Sequence, residues 1–267
     1  MTTPSPPSLI AVAGPSGSGK TTWISQFLQD SNRPCFYLAP GASKTSVDLA
    51  RIGYRFPWVQ VIADHQTQSF FEAWIEGTLP NSTVYLELGF HLGLDSPFLA
   101  ALPWHRVALL PPDLATQGAT EWHDWADEII PGNDAPSLKE ATPPNLWLTS
   151  LSGQVFDPPS LDEALIELTE GAYGKIHRAK GIFELPDGRA FYVDFVNGLP
   201  GIEYTELNLP TWLDGRPDRP SGIEVVGWEL QQGAIAQTLL DSCLSDDLLH
   251  QYQQQYKATL AEETIPA

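Results

Sequence analysis

Leu9-Ile10-Ala11-Val12-Ala13-Gly14-Pro15-Ser16-Gly17-Ser18-Gly19-Lys20-Thr21-Thr22 decides how this chain is read. The first five residues are an apolar run of strand length closed by glycine, which predicts a buried strand. Gly14-x-x-x-x-Gly19-Lys20-Thr21 then spells the phosphate-loop pattern G-x-x-x-x-G-K-[ST]. Its glycines permit positive φ and close backbone approach, so that successive N–H groups can curl around phosphate oxygens. After the loop, Trp23, Ile24, Phe27 and Leu28 recur at helical spacing, so a helix is expected to aim its positive dipole end at the same anion. Gly14, Ser16, Gly17, Ser18, Gly19, Lys20, Thr21 and Thr22 are therefore the expected nucleotide-binding residues. Lys20 is expected on the β/γ-phosphates and the Thr21 hydroxyl on Mg²⁺.

Such a site also needs an acid beside the Mg²⁺, usually at the end of a neighbouring strand. Glu87 closes the run Val84-Tyr85-Leu86, and Asp48 lies in a plausible loop. These two are favoured as catalytic residues with Lys20, and Asp48 joins Thr21 as a metal ligand. Asp64, Asp95 and Asp113 also fall at strand ends or loops, but in so acidic a chain each reads first as a solvated side chain.

The flanking sequence predicts an α/β protein with a mostly parallel sheet. Strand-like runs at 35–38, 59–62, 84–88, 106–110 and 146–149 alternate with helical patterns, among them 70–75 and 161–170. The pattern changes near Gly171. Two strand-like runs between Ile176 and Val196 flank Pro186-Asp187-Gly188, a hairpin turn signal. Runs at 202–209 and 223–230 and two closing helices complete a smaller α+β domain. The expected division is thus a phosphate-loop domain over 1–170, with 1–8 as a tail, and a second domain over 171–267.

The chain has 267 residues, 33 of them acidic and 14 basic, for a formal charge of −19. That balance disfavours nucleic acid and anionic membrane surfaces as partners. No apolar run reaches spanning length, and Met1–Ser8 carries no basic residue, so neither a membrane helix nor a secretory leader is expected and a cytoplasmic home fits. Cys35 and Cys243 have no metal-ligand spacing and read as small buried hydrophobes. The six histidines form no i, i+4 pair; even His65 and His91, near the candidate loops, are weighed against as ligands. Most of the nine tryptophans are expected in core packing. Leu151-Ser152-Gly153-Gln154 is a poor copy of the transporter-ATPase signature.

Beyond the loop, Ile176-His177-Arg178-Ala179-Lys180-Gly181 looks like the Arg-Ala-Lys-Gly entry to the C-terminal domain of the CobW-type P-loop GTPases. Val225-Val226-Gly227 and Leu239-Leu240-Asp241-Ser242-Cys243-Leu244 look like that domain's closing strand and helix. The chain thus resembles this family over nearly its whole length. The resemblance implies an N-terminal GTPase domain, GTP (or ATP) with Mg²⁺ as cofactors, and a role in metal delivery or cobalamin synthesis. It also implies a protein client, with oligomerisation possible.

Middle motifs match less closely. Ser46-Val47-Asp48 sits where the family's first switch ends in aspartate. Either Glu87-Leu88-Gly89 or Gly93-Leu94-Asp95-Ser96-Pro97 corresponds to its Glu-Thr-Thr-Gly stretch. Ala126-Asp127-Glu128-Ile129-Ile130 resembles the strand leading to the base-reading motif. Two departures stand out. The family's Cys-x-Cys-Cys belongs near 64–68, where this chain has no cysteine, so its usual soft-metal site is missing. The guanine reader Asn-Lys-x-Asp is replaced by Pro131-Gly132-Asn133-Asp134, with Asp134 as the substitute base-binding residue.

The leading expectation is a divergent GTPase whose loops near Asp48 and Glu87 are ordered by nucleotide and released by hydrolysis, changing how the C-terminal domain meets a partner. A non-hydrolysing nucleotide-binding module and a small-molecule kinase are the alternatives. The kinase ranks last, because no Arg-rich segment between Gly53 and Leu185 offers a lid over a transferring phosphoryl group.

Overall fold

A parallel sheet ends on the phosphate loop because its strands are apolar on both faces and its connections are helical. The computed structural model describes residues 8–29, 33–41, 46–79, 81–118, 120–134 and 142–263. The expected tail lies outside these except for Ser8, where the first strand begins. The chain divides into two units, Met1–Ala141 and Thr142–Ala267.

The first unit contains β1 (Ser8–Ala13), α1 (Lys20–Leu28), β2 (Cys35–Leu38), α2 (Val47–Arg55), β3 (Gln60–Ile62), α3 (Thr67–Ile75), β4 (Thr83–Glu87), α4 (Pro97–Ala100), β5 (His105–Leu110), α5 (Pro112–Gln117), α6 (Glu121–Trp125) and β6 (Glu128–Pro131). The six strands pair in the order β3-β2-β4-β1-β5-β6, every pair parallel. Alternation along β1 sorts the core. Leu9, Ala11 and Ala13 face a cluster with Phe70, Phe71 and Trp104, whereas Val12 faces α1 and α2 through Ile24, Leu28 and Ile52. Trp74, Trp104, Trp122 and Trp125 all pack in or against the first cluster.

Helices α2, α4, α5 and α6 were not expected, and α2 bears on the site. The stretch after Ser46 is α2, because the Ser46 side chain accepts from Leu49 N at 3.2 Å as an N-cap. Asp48 therefore sits in a helical first turn rather than in a loop.

The second unit contains β7 (Asn145–Ser150), α7 (Pro158–Thr169), β8 (Lys175–Glu184), β9 (Ala190–Val196), β10 (Glu203–Leu207), β11 (Gly222–Trp228), α8 (Gln232–Asp241) and α9 (Asp246–Glu263). Its five strands pair antiparallel in the order β10-β9-β8-β11-β7. This moves the expected division. The run 146–149 is a strand, but it pairs with β11 (Val225↔Trp147) instead of joining the parallel sheet. Leu161, Leu165 and Leu168 of α7 share a core with Phe183, Val225 and Leu239. The second unit therefore starts near 142 and not at 171.

The β8–β9 hairpin turns at Pro186-Asp187-Gly188, where Gly188 has φ +81°. Lys180 pairs with Glu224 at 2.9 Å, both nearly buried, and Arg178 with Asp194 at 3.3 Å. Among the described residues no helix is long and apolar enough to cross a membrane.

Candidate functional site

The site grows from the crossing between β1 and α1. Gly14 leaves β1 at φ +142°, and a Cβ there would lie 2.1 Å from Leu109 O, so only glycine passes this point. Gly17 and Gly19 are also left-handed, at φ +83° and +91°. Gly19 is the N-cap of α1 and no side chain caps that end, which suits the first-turn N–H groups to an anion. Ser18 is fully buried, and its hydroxyl has no partner among the described residues. A buried, unmatched hydroxyl inside a glycine-rich loop is what an incoming phosphate oxygen satisfies.

Lys20 lies back across its own loop. Its Nζ donates to Gly14 O and Pro15 O, each at 3.0 Å, with the residue only 6% exposed. The ammonium is thus held at the loop, where a phosphate would exchange neutral carbonyl acceptors for charged ones. Ser16 and Thr21 are buried beside it, whereas Thr22 is exposed.

Thr21 lies between the two favoured acids. Its Oγ1 donates to Glu87 Oε1 at 2.9 Å and lies 3.4 Å from Asp48 Oδ1. One hydroxyl proton cannot serve both carboxylates at once. The three oxygens, two of them anionic, form a hard donor set that fits Mg²⁺. Asp48 comes from α2 and Glu87 from the C-terminal end of β4, next to Val12 of β1. Asp64 is engaged elsewhere, accepting from Gly41 N at 3.1 Å, and Asp113 lies in the first turn of α5.

Two neighbours of the site were not among the expected site residues. The hydroxyl of Tyr37, a fully buried side chain of β2, donates to Glu87 Oε2 at 2.8 Å. The available signal was a tyrosine near the end of a buried strand, where its hydroxyl needs a partner. Asn133 is the second. Its N donates to Ser18 O at 3.1 Å and its Nδ2 to Gly17 O at 3.2 Å, bracing the loop from behind. Gly132 makes room for this, because a Cβ there would meet Ser18 O at 2.3 Å. Asp134, the expected base reader, follows with an exposed side chain.

No group of three or more histidine, cysteine or acidic side chains suited to a metal ion occurs among the described residues. His65 and His91 are both exposed. Cys35 is buried, as expected of a small hydrophobe; Cys243 is half-buried, and burial pushes its thiol up to about 11.

Residues 149–244 match the family described as cobalamin synthesis protein cobW C-terminal domain. This part of the chain is similar to a CobW C-terminal domain. The match lies within the second unit and spans the end of β7, then α7, β8, β9, β10, β11 and α8. No curated protein matches the chain. Among solved structures, the chain is similar to the Zn(II)-bound YjiA GTPase from E. coli, with 12% identity and a TM-score of 0.32 over 89% of this chain and 99% of that one. It is also similar to a Zn(II)-bound triple mutant of YjiA GTPase, with 13% identity, the same TM-score and the same coverage. The phosphate loop lies outside the matched residues and stands on its own geometry.

Proposed function

We propose that this chain is a CobW-type, Mg²⁺-dependent nucleoside triphosphatase, with GTP as the working nucleotide and ATP as the competitor to test. The observation that carries this is the Thr21 hydroxyl held between Glu87 and Asp48, directly after a glycine loop with its lysine in place. Bound Mg²⁺ would neutralise the charge that develops on the β- and γ-phosphate oxygens.

The chain's own residues do the rest. The loop N–H groups and the end of α1 grip the phosphates, and Lys20 leaves the Gly14 and Pro15 carbonyls for the β/γ oxygens. Water attacks the γ-phosphorus, and the bond from that phosphorus to its bridging oxygen breaks. Nucleoside diphosphate and inorganic phosphate leave, with the water proton passing to solvent or phosphate. Both Glu87 oxygens accept from hydroxyls, so Glu87 acts as a held ligand-side carboxylate rather than a proton abstractor. Catalysis on this reading is positioning and charge stabilisation.

Base choice falls to the loop after β6, where Asp134 is the proposed reader. The absence of cysteine from 64–68 leaves no soft thiolate cargo site of the family's usual kind, and transition-metal delivery is not part of the proposal. A protein client is the proposed partner class, since the charge of −19 disfavours nucleic acid and anionic membranes.

Phosphate release from GTP and from ATP, with and without Mg²⁺, tests the reading. Mg²⁺-dependent release lost in Asp48→Ala and Glu87→Ala supports it. Nucleotide binding without release in the wild-type chain would leave a binding module instead, and product formation only with a phosphoryl acceptor would leave a kinase.

A further inference from the structure

The closing helix α9 presents two sets of side chains that do different work. Leu249, only 2% exposed, packs with Val155 and Leu244. Gln253, equally buried, exchanges hydrogen bonds with the backbone of Gly215 at 2.8 and 2.9 Å. These residues dock the helix on its own unit. The second set is Leu248, Tyr252, Tyr256 and Leu260, exposed at 47, 38, 40 and 50%. Steps of four residues place these side chains on one continuous ridge of the helix.

Two features of this ridge point to its occupant. Its order, Leu-Tyr-Tyr-Leu, is the same read from either end. The helix itself contributes no acid there: residues 248–261 contain no aspartate or glutamate, in a chain with 33 acidic residues. Asp214 of the same unit, the acid that reaches this stretch, is neutralised by Lys257 at 2.6 Å.

We infer that the ridge docks a second copy of this chain, the two α9 helices crossing antiparallel about a twofold axis between Tyr252 and Tyr256. An isologous contact must be self-complementary, each residue meeting the other's counterpart in both directions. The palindrome meets that demand: Tyr252 of one copy faces Tyr256 of the other, and Leu248 faces Leu260. Charge selects the same surface, because two chains each carrying −19 repel wherever acids cover the approach. Ridges of the i±4 kind interdigitate at about −50°. That angle splays the helix ends, carrying Asp246 and Asp247 away from the opposite copy. The tyrosines bury their rings and keep their hydroxyls at the wet edge. One narrow ridge lies at the small end of specific interfaces, so the dimer is reversible and concentration-dependent.

Sedimentation of the full chain over roughly 1–200 µM tests this directly. The wild type should move from monomer towards dimer across that range. Tyr256→Glu should weaken dimerisation about tenfold or more, and Tyr256→Phe should retain it. Gln254→Glu puts the same charge on the opposite side of the same helix and should dimerise like the wild type, which separates loss of contact from loss of helix. Orientation is read in a Cys243→Ser background, where mixing Tyr252→Cys with Tyr256→Cys should give disulfide-linked dimers faster than either variant alone. The inference is overturned by a wild type that stays monomeric, by a dimer that Tyr256→Glu leaves intact, or by equal loss in Gln254→Glu. Faster self-linking of the single cysteine variants would make the pair parallel and overturn the twofold arrangement.

Discussion

Tyr37 and Glu87 are tied across neighbouring strands: the Tyr37 hydroxyl donates to Glu87 Oε2 at 2.8 Å, while Oε1 accepts from Thr21 at 2.9 Å. The carboxylate is held at both oxygens between a core strand and the phosphate loop. Tyr37→Phe keeps the ring in its packing and removes only the hydroxyl. A hydrogen bond to a charged group contributes about 1.5–3 kcal/mol, so the Mg²⁺ concentration for half-maximal nucleotide binding should rise about tenfold or more. Calorimetric titration at a series of Mg²⁺ concentrations measures it. Mg²⁺-free nucleotide binding should stay near that of the wild type.

Asp48 and Glu87 face one hydroxyl proton, and their like charges repel in a buried setting. Asp48→Asn should therefore melt at a higher temperature than the wild type in chelator-treated buffer. The order should reverse with Mg²⁺ and nucleotide present, because the ligand stabilises the wild type by about 2.7 kcal/mol at a hundredfold excess over Kd. Thermal denaturation under the two conditions gives both values. A variant less stable than the wild type in each would refute the repulsion argument.

The brace behind the loop separates two substitutions. Asn133→Ala removes a hydrogen bond to Gly17 O and should weaken nucleotide binding by about 1 kcal/mol, or roughly fivefold. Gly132→Ala drives a Cβ to within 2.3 Å of Ser18 O and must displace the loop itself. It should cost more than Asn133→Ala in nucleotide affinity and lower the melting temperature as well, overpacking being worth about 1–3 kcal/mol. Equal affinities in the two variants would mean that the loop is not seated on this glycine.

In the second unit, Glu184 is 2% exposed, and Arg219 meets both of its oxygens at 2.8 and 2.6 Å. Burial raises the Glu184 carboxyl above its ordinary value, and Arg219 opposes that rise. A carboxyl raised in the folded state binds more protons than in the unfolded state, so its contribution to stability falls as pH climbs through the window above about 4.5. Arg219→Ala removes the opposing influence and widens that window. The variant should lose about 3–5 kcal/mol at pH 7, and less at pH 5, where protonation relieves the unpaired charge. Denaturant unfolding at the two pH values checks the sign. A loss that grew on acidification would contradict it.

The loop with its flanking strand and helix was legible in the sequence because its signal is local. The hairpin at Pro186-Asp187-Gly188 was legible for the same reason. Asp48 and Glu87, by contrast, were favoured from a loop, a strand end and a resemblance, and meet Thr21 only through the fold. Leu146-Trp147-Leu148-Thr149 could be read as a strand but not assigned to a sheet, because its partner, β11, lies far along the chain and pairing is decided by packing. α2 was missed because Ser46 reads equally as a loop serine and as an N-cap. Tyr37 and Asn133 reach the site only through register and a turn, since adjacent parallel strands place Tyr37 opposite Tyr85, two residues before Glu87. Spacing alone does not reveal such neighbours.

Calorimetric binding of GTP and ATP in the presence of Mg²⁺, for the wild type and Lys20→Ala, tests the central claim most directly. The account predicts Mg²⁺-dependent binding of GTP in preference to ATP, weakened about 10–100-fold by Lys20→Ala as its charged hydrogen bonds to phosphate are lost. Affinity that Lys20→Ala leaves unchanged, or no nucleotide binding by the wild type, would contradict it.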